Sequence, residues 1–178
     1  VLRSIVQQVN LAEGLDASLE LIVRRVREAM DTEVCSIYMR ESVGDRFVLS
    51  ATRGLNAEQV GVASLASGEG LVGQVAEREE PLNLENAEAH PSFQHMPGLG
   101  EEQFHSFLGV PIIHRRDVLG VLVVQQRDLR RFDQSDESFL ITLSAQLAAV
   151  IAHAKVTGAL QVEALTGTAA TTKIVGIA

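Results

Sequence analysis

In 178 residues the chain has one cysteine, one tyrosine and no tryptophan. The single thiol, Cys35, cannot close an internal disulfide, so the fold does not depend on an oxidising compartment. Without tryptophan, intrinsic fluorescence is a poor reporter of folding or binding. No uninterrupted apolar run approaches ~20 residues, which leaves nothing to span a bilayer. No signal peptide opens the chain, and the cytoplasm is the expected compartment. Positive charge is scarce: 15 Lys and Arg against 23 Asp and Glu give a formal charge of −8. That balance argues against a nucleic-acid partner, because such binding draws most of its affinity from neutralised phosphates. The basic group Arg127, Arg130 and Arg131 is offset by Asp128, Asp133, Asp136 and Glu137, which favours local ion pairs. What is abundant is apolar residue, 46% of the chain, enough for one domain with a substantial core.

The most informative stretch is Phe107 to Arg127: two Val- and Ile-rich runs around His114-Arg115-Arg116-Asp117. It predicts a hairpin covered on both faces, with those four residues as a solvated turn. Phe132 to Asp136 then leads into a helix from Glu137 to Val156, entered through acidic and hydroxyl capping residues. Upstream, Leu2, Ile5, Val6 and Val9 lie on one helical face, and Asp16 is placed to cap a second helix that buries Leu19, Ile22, Val23, Val26 and Met30. Asp31-Thr32 ends it. Val34 to Met39 and Arg46 to Thr52 form a first hairpin. Asn56 to Val60 reads as a helical turn and Val62 to Leu65 as a short strand. Gly68-Glu69-Gly70 opens a helix from Leu71 to Glu79. Pro81 to Leu84 is extended, and Pro91 to Gly100 loops over the body. The predicted fold class is α+β: a mostly antiparallel sheet of about six strands, terminal helices on one face, short helices and loops over a pocket on the other. From Gly158 to Ala178 the chain has no aromatic residue and no periodicity, which reads as a linker following a domain of residues 1–157.

Several segments carry a family resemblance in order: Thr32 to Tyr38, Gly68-Glu-Gly-Leu-Val-Gly73, Phe107-Leu-Gly-Val-Pro-Ile112, and Leu119-Gly-Val-Leu-Val123 with Phe132 and Asp136 behind it. Together they resemble a GAF domain, the sheet-based small-molecule module of sensory proteins. More narrowly, Ala29 to Ser36, Ala51 to Leu55, His90 to Phe93 and Phe107 to Gln126 are similar to the N-terminal domain of nitrogen-branch phosphoenolpyruvate-protein phosphotransferases. That resemblance implies a regulatory role, with glutamine and 2-oxoglutarate as candidate effectors acting on autophosphorylation. It implies a downstream phosphohistidine domain, and, through the longer parent, a phosphocarrier protein as partner. It implies no cofactor in this segment and magnesium for the parent. None of His90, His95, His105, His114 or His153 sits in the Gly-Gly-x-x-Ser/Thr-His context of that family's phosphorylated histidine, so no catalytic residue is expected here.

An amino-acid effector needs a cation or backbone donors for its carboxylate and an acceptor for its ammonium. Arg53, Glu69, Asn83 and Gln125 are the polar candidates, each with the competing reading of a surface or strand-end residue. Phe93, Phe104 and Phe107 are candidates for the pocket wall, with core packing the stronger reading. His90 and His95, with Glu85 and Glu88 nearby, lack the register that sets two imidazoles on one helix face, and no metal site is expected. Cys35 reads as a buried small hydrophobe. The reductases of the GAF class use several cysteines, so a single one argues against that activity. Where cyclic-nucleotide GAF domains carry an Asn-Lys pair, this chain has Gln126-Arg127, which argues against a cyclic nucleotide; Arg127 is expected to pair with Asp133 or Asp136. Leu2, Ile5, Val6 and Val9, with Leu140, Leu143, Leu147 and Ile151, offer more apolar helix surface than one sheet face needs, so a homodimer through them is expected.

Overall fold

A computed structural model describes the backbone of residues 1–177 and side chains through Gly158. Helices α1 (Leu2–Leu11) and α2 (Leu15–Met30) precede the hairpin β1 (Val34–Arg40) and β2 (Arg46–Arg53). There follow β3 (Ser64–Ala66), α3 (Gly70–Arg78), β4 (Leu82–Leu84), the hairpin β5 (Ser106–His114) and β6 (Asp117–Gln126), and α4 (Gln134–Ile177). Single 3-10 turns occupy Ala57–Gln59 and Ala87–Ala89. The strands form one antiparallel sheet in the order β3-β2-β1-β6-β5-β4, so the α+β expectation holds. Both edge strands are only three residues long, which limits the backbone offered to another chain.

Strand alternation divides the core. Cys35, Ile37, Leu108, Val110, Ile112, Leu122 and Val124 face the terminal helices and pack on Ile5, Val9, Ile22, Val26, Leu140, Leu143, Leu147 and Ile151. Val34, Tyr38, Phe47, Leu49, Phe107, Val121 and Val123 face α3 and the loops. The expected dimer contacts are therefore corrected. Ile5, Leu140, Leu143, Leu147 and Ile151 are 0% exposed and Val9 is 1%, while half-buried Leu2 packs at the rim of the same cluster. Three helical stripes are needed to cover a face built from the long strands β1, β5 and β6, and no surplus remains at those positions. The apolar length of α4 has the same cause. Gln134–Gly158 is long and apolar enough to cross a bilayer, but its buried stripe packs on its own sheet.

Local chemistry sets the helix ends. Gly14, at φ 90, rather than Asp16, caps α2, and the Ser18 hydroxyl donates to the Gly14 carbonyl at 2.8 Å. Asp16 sits in the first turn, where its charge suits the helix dipole. Asp133 caps α4, accepting from the Asp136 amide at 2.8 Å. The sequence reading ends this helix at Val156, yet its backbone stays helical through Ile177, although Gly158, Gly167 and Gly176 each cost a helix about 1 kcal/mol. The side chains of the expected linker, from residue 159 on, lie outside the described residues.

Candidate functional site

A cleft lies on the sheet face opposite the terminal helices, between α3 and the 91–104 loop. Tyr38, Phe107, Val123 and Gln125 form its floor. Gly70, Leu71 and Val72 at the start of α3 form one wall, and Phe93, Gln94, Met96 and Glu101 the roof. The floor follows from register, since Tyr38 opposes Val121 and Gln125 opposes Phe107 and Val34 in neighbouring strands. The wall depends on Gly73: a Cβ there would run into the Ala66 carbonyl, so only glycine lets α3 approach β3 this closely.

The roof is tied down at several points. Leu99 is fully buried and its carbonyl accepts from the Asn56 amide at 3.0 Å. The Asn56 side chain donates to the Gly98 carbonyl at 2.9 Å. At the rim, the Gln94 carboxamide donates to Glu69 at 3.2 Å. Within the cleft, Gln125 donates to the Glu101 carboxylate at 3.4 Å. The space water can occupy beneath this roof is ≈ 20 Å³, room for about one molecule.

Electrostatically the cleft is unusual for an acidic chain. Among the described residues Glu101 is its one ionisable carboxyl and no Lys or Arg lines it. Burial pushes the Glu101 carboxyl up to about 7, although the Gln125 hydrogen bond works the other way. Burial, and then the Glu101 charge, push the Tyr38 hydroxyl up as well.

The structure brings Phe93, Phe107 and Gln125 together in this cleft and disperses the other candidates. Glu69 stands at its rim, accepting from the Ala66 amide at 2.8 Å and from Gln94; the Ala66 bond is the chief reason its carboxyl titrates low. Arg53 is exposed at the end of β2 and pairs with Glu20 at 3.4 Å, away from the cleft lining. Asn83 is a structural clamp. Its amide donates to the Phe132 carbonyl and to Glu137, both at 2.9 Å, and accepts from the Phe132 amide at 3.2 Å. Phe104 is buried in the core. Arg127 pairs with Glu33 at 3.2 Å, not Asp133 or Asp136, and donates to Gln103 at 2.8 Å. His90 accepts from the Ser92 amide at 3.1 Å and His95 lies 3.7 Å from Glu102. Among the described residues no group of three metal-ligating side chains forms. Cys35 is 0% exposed and burial pushes its thiol up.

Sequence reasoning missed Tyr38 and Glu101. Tyr38 had a signal: it alternates with Ser36 and Val34 on the face that β6 completes with Val123 and Gln125. Glu101 had none, because its position depends on where Leu99 anchors the loop.

A single antiparallel sheet with helices on one face and a roofed cleft on the other is the α+β architecture of the GAF fold. The chain belongs to the GAF domain family, matching it over residues 14–151. It is 46% identical over 156 residues to a Salmonella typhimurium protein of the phosphoenolpyruvate-dependent phosphotransferase system, covering 88% of this chain and 21% of that protein. The chain thus spans about a fifth of that relative's length. Two solved structures are similar. One is the GAF domain of a phosphoenolpyruvate-protein phosphotransferase (ptsP) from Coxiella burnetii, with 49% identity, TM-score 0.83, and coverage of 89% of this chain and 94% of that one. The other is the GAF domain of the Acinetobacter phosphoenolpyruvate-protein phosphotransferase, with 48% identity, TM-score 0.79, and coverage of 88% and 94%.

Proposed function

We propose that this chain is the regulatory, small-molecule-sensing domain of a phosphoenolpyruvate-protein phosphotransferase, controlling autophosphorylation of downstream domains in response to nitrogen status. The observation that carries this reading is the cleft itself: Tyr38, Glu101 and Gln125 converge on an otherwise apolar sheet face beneath a loop held by a few hydrogen bonds. A pocket of mostly apolar lining with few polar groups is the usual form of a small-ligand site. Glutamine and 2-oxoglutarate are the candidate effectors. An effector shifts the roof by its difference in affinity between open and closed states, and α4 carries that bias toward the phosphohistidine domain and its phosphocarrier partner. Phosphoryl chemistry and its magnesium belong to those downstream domains. The inaccessible Cys35 supports a non-catalytic role for this one.

A second reading is a dimerisation and docking platform without a ligand. Exposed apolar residues favour it, notably Leu11 at 83%, Val156 at 61% and Ile141 at 40%.

Calorimetric unfolding with millimolar glutamine, 2-oxoglutarate or a cyclic nucleotide separates the two. A ligand at ~100 times its dissociation constant adds about 2.7 kcal/mol, so the sensor reading expects a raised midpoint with one compound. An unchanged midpoint with all of them favours the platform.

A further inference from the structure

We infer that the edge strand β4 is a lever through which the cleft wall acts on α4, with the Asn83 carboxamide as the positioning contact at its far end. The inference rests on the sensor reading for its purpose and adds the route by which the cleft reaches that helix.

Strand alternation puts β4 in touch with both sides of the sheet. Leu82 and Leu84 pack with the cleft-side core, while Asn83 between them turns to the other face and holds Phe132, a member of the helix-side core. Both N–H groups of the Asn83 carboxamide are in use, one on the Phe132 carbonyl and one on Glu137, and its oxygen accepts from the Phe132 amide. Phe132 directly precedes Asp133, the cap of α4, and Glu137 lies in the first turn of that helix. The grip therefore fixes where α4 begins. Two donors and an acceptor on one short side chain are what a carboxamide supplies and a carboxylate does not. A displacement of β4 must then move the start of α4 or break these bonds.

At its other end β4 is joined stiffly to the cleft. Gly70, Leu71 and Val72 line the cleft and belong to α3, a helix of nine residues that is short enough to move as one body. The sheet beneath it is smooth, since a Cβ on Gly109, the partner of Leu82, would stand 3.1 Å from Val75. The connection from α3 to β4 leaves little slack along the chain. Glu79 is left-handed at φ 56 and its amide closes on the Val75 carbonyl at 2.9 Å, and the Pro81 ring fixes its own φ.

Sideways, the same connection has room. Pro81 borders a cavity of ≈ 60 Å³ on the α3 side, with Val75, Leu82 and His90. On the α4 side it borders an open groove of ≈ 230 Å³, with Val110, Ile113 and Ile141. A close-packed interior resists such shifts, but Pro81 can shift between these two spaces. Only three residue pairs hold β4 to β5, so the strand follows readily. Outward movement of the wall at Gly70 to Val72 is thus carried through Glu79 and Pro81 to β4, and Asn83 passes it to Phe132 and the first turn of α4. The cleft biases α4 by whatever free energy separates the two positions of this lever.

The test uses no ligand, so it stands apart from the question of what the cleft binds. V72A, a truncation in the cleft wall, is compared with the unaltered chain by backbone amide NMR shifts, and again in N83A and E137A backgrounds. V72A is expected to move the amide resonances of residues 82–84 and 132–137. With N83A the effect at 132–137 is lost while that at 82–84 remains, and E137A, which removes one of the three bonds, weakens it. An Asn83 that were merely structural would lower the melting temperature without changing how far the V72A effect travels. Should N83A be too unstable to assign, E137A carries the comparison alone. Resonances at 132–137 that V72A leaves in place, or moves equally in every background, overturn the inference. The sensor reading keeps its own calorimetric test in either case.

Discussion

Gln125 on β6 and Glu101 on the roof loop meet across 3.4 Å inside the cleft, and they join the sheet to the segment that covers it. The relationship has a pH signature in the absence of any ligand. The Glu101 carboxyl lies at about 7 in the folded chain against an ordinary 4.5, so the fold favours the protonated form. Stability from this group is present below about 4.5 and is lost as pH rises through 7. E101Q stays neutral throughout and is expected to match wild type near pH 4.5 and exceed it at pH 8. Because Glu101 is only half-buried by area, solvent screening reduces the gain to on the order of 1 kcal/mol. Urea denaturation of both proteins at the two pH values measures it; parallel pH profiles would show that the carboxyl is not destabilised by the fold.

Asn83 ties the edge strand β4 to the entrance of α4 through three hydrogen bonds at 2.9, 2.9 and 3.2 Å. Alanine removes all three and leaves the Phe132 amide and carbonyl without this partner. N83A is expected to lose about 2–3 kcal/mol, and hydrogen exchange should quicken at residues 82–84 and 132–137 before it does elsewhere. Unchanged exchange at the start of α4 would mean that Phe132 is held by packing alone.

The elements legible in the sequence are those whose physics is local. The β5–β6 hairpin showed because both of its faces are covered, which forces two continuous Val and Ile runs around a polar turn. The helices showed through their 3.6-residue period, down to buried Leu71, Val72, Val75 and Ala76 on α3. What stayed hidden depends on distant partners. Arg127 finds Glu33 across 94 residues, whereas spacing along the chain pointed to Asp133 or Asp136, and Asn83, a pocket candidate by residue type, finds Phe132 across 49. The cleft was half legible for the same reason: Phe93, Phe107 and Gln125 were candidates through the family resemblance, which implies a pocket between one sheet face and the mid-sequence loops, but Glu101 is positioned by Leu99 and Asn56 acting over 42 or more residues.

Apolar residues on α4 fall into two groups with different expected behaviour. Leu147 is 0% exposed within the helix-side core, and L147A is expected to cost about 2–5 kcal/mol through the cavity it leaves. Ile141 is 40% exposed and stands at the surface beside Pro111 and Ile113, so I141E should melt close to wild type. If the chain self-associates through α4, sedimentation velocity should show I141E shifting toward monomer while L147A does not. A dimer that survives I141E, with V156E equally silent, would place any association elsewhere.

The turn between β5 and β6 carries strain that a substitution can release. Arg115 and Arg116 adopt φ 49 and 71, the left-handed values of a two-residue I′ hairpin, which Asn-Gly adopts readily and arginine does not. Neither arginine forms a salt bridge among the described residues, so little opposes their replacement. R115N/R116G is expected to raise stability by about 1 kcal/mol, the relief of two left-handed residues offset in part by the entropy of the new glycine. The charge change works slightly against the gain in a chain already at −8, and 0.15 M salt screens most of it. R115K/R116K keeps both the charge and the strain and should melt with wild type. If the Asn-Gly variant instead melts at or below wild type, the arginines stabilise the folded chain through contacts that outweigh their backbone strain.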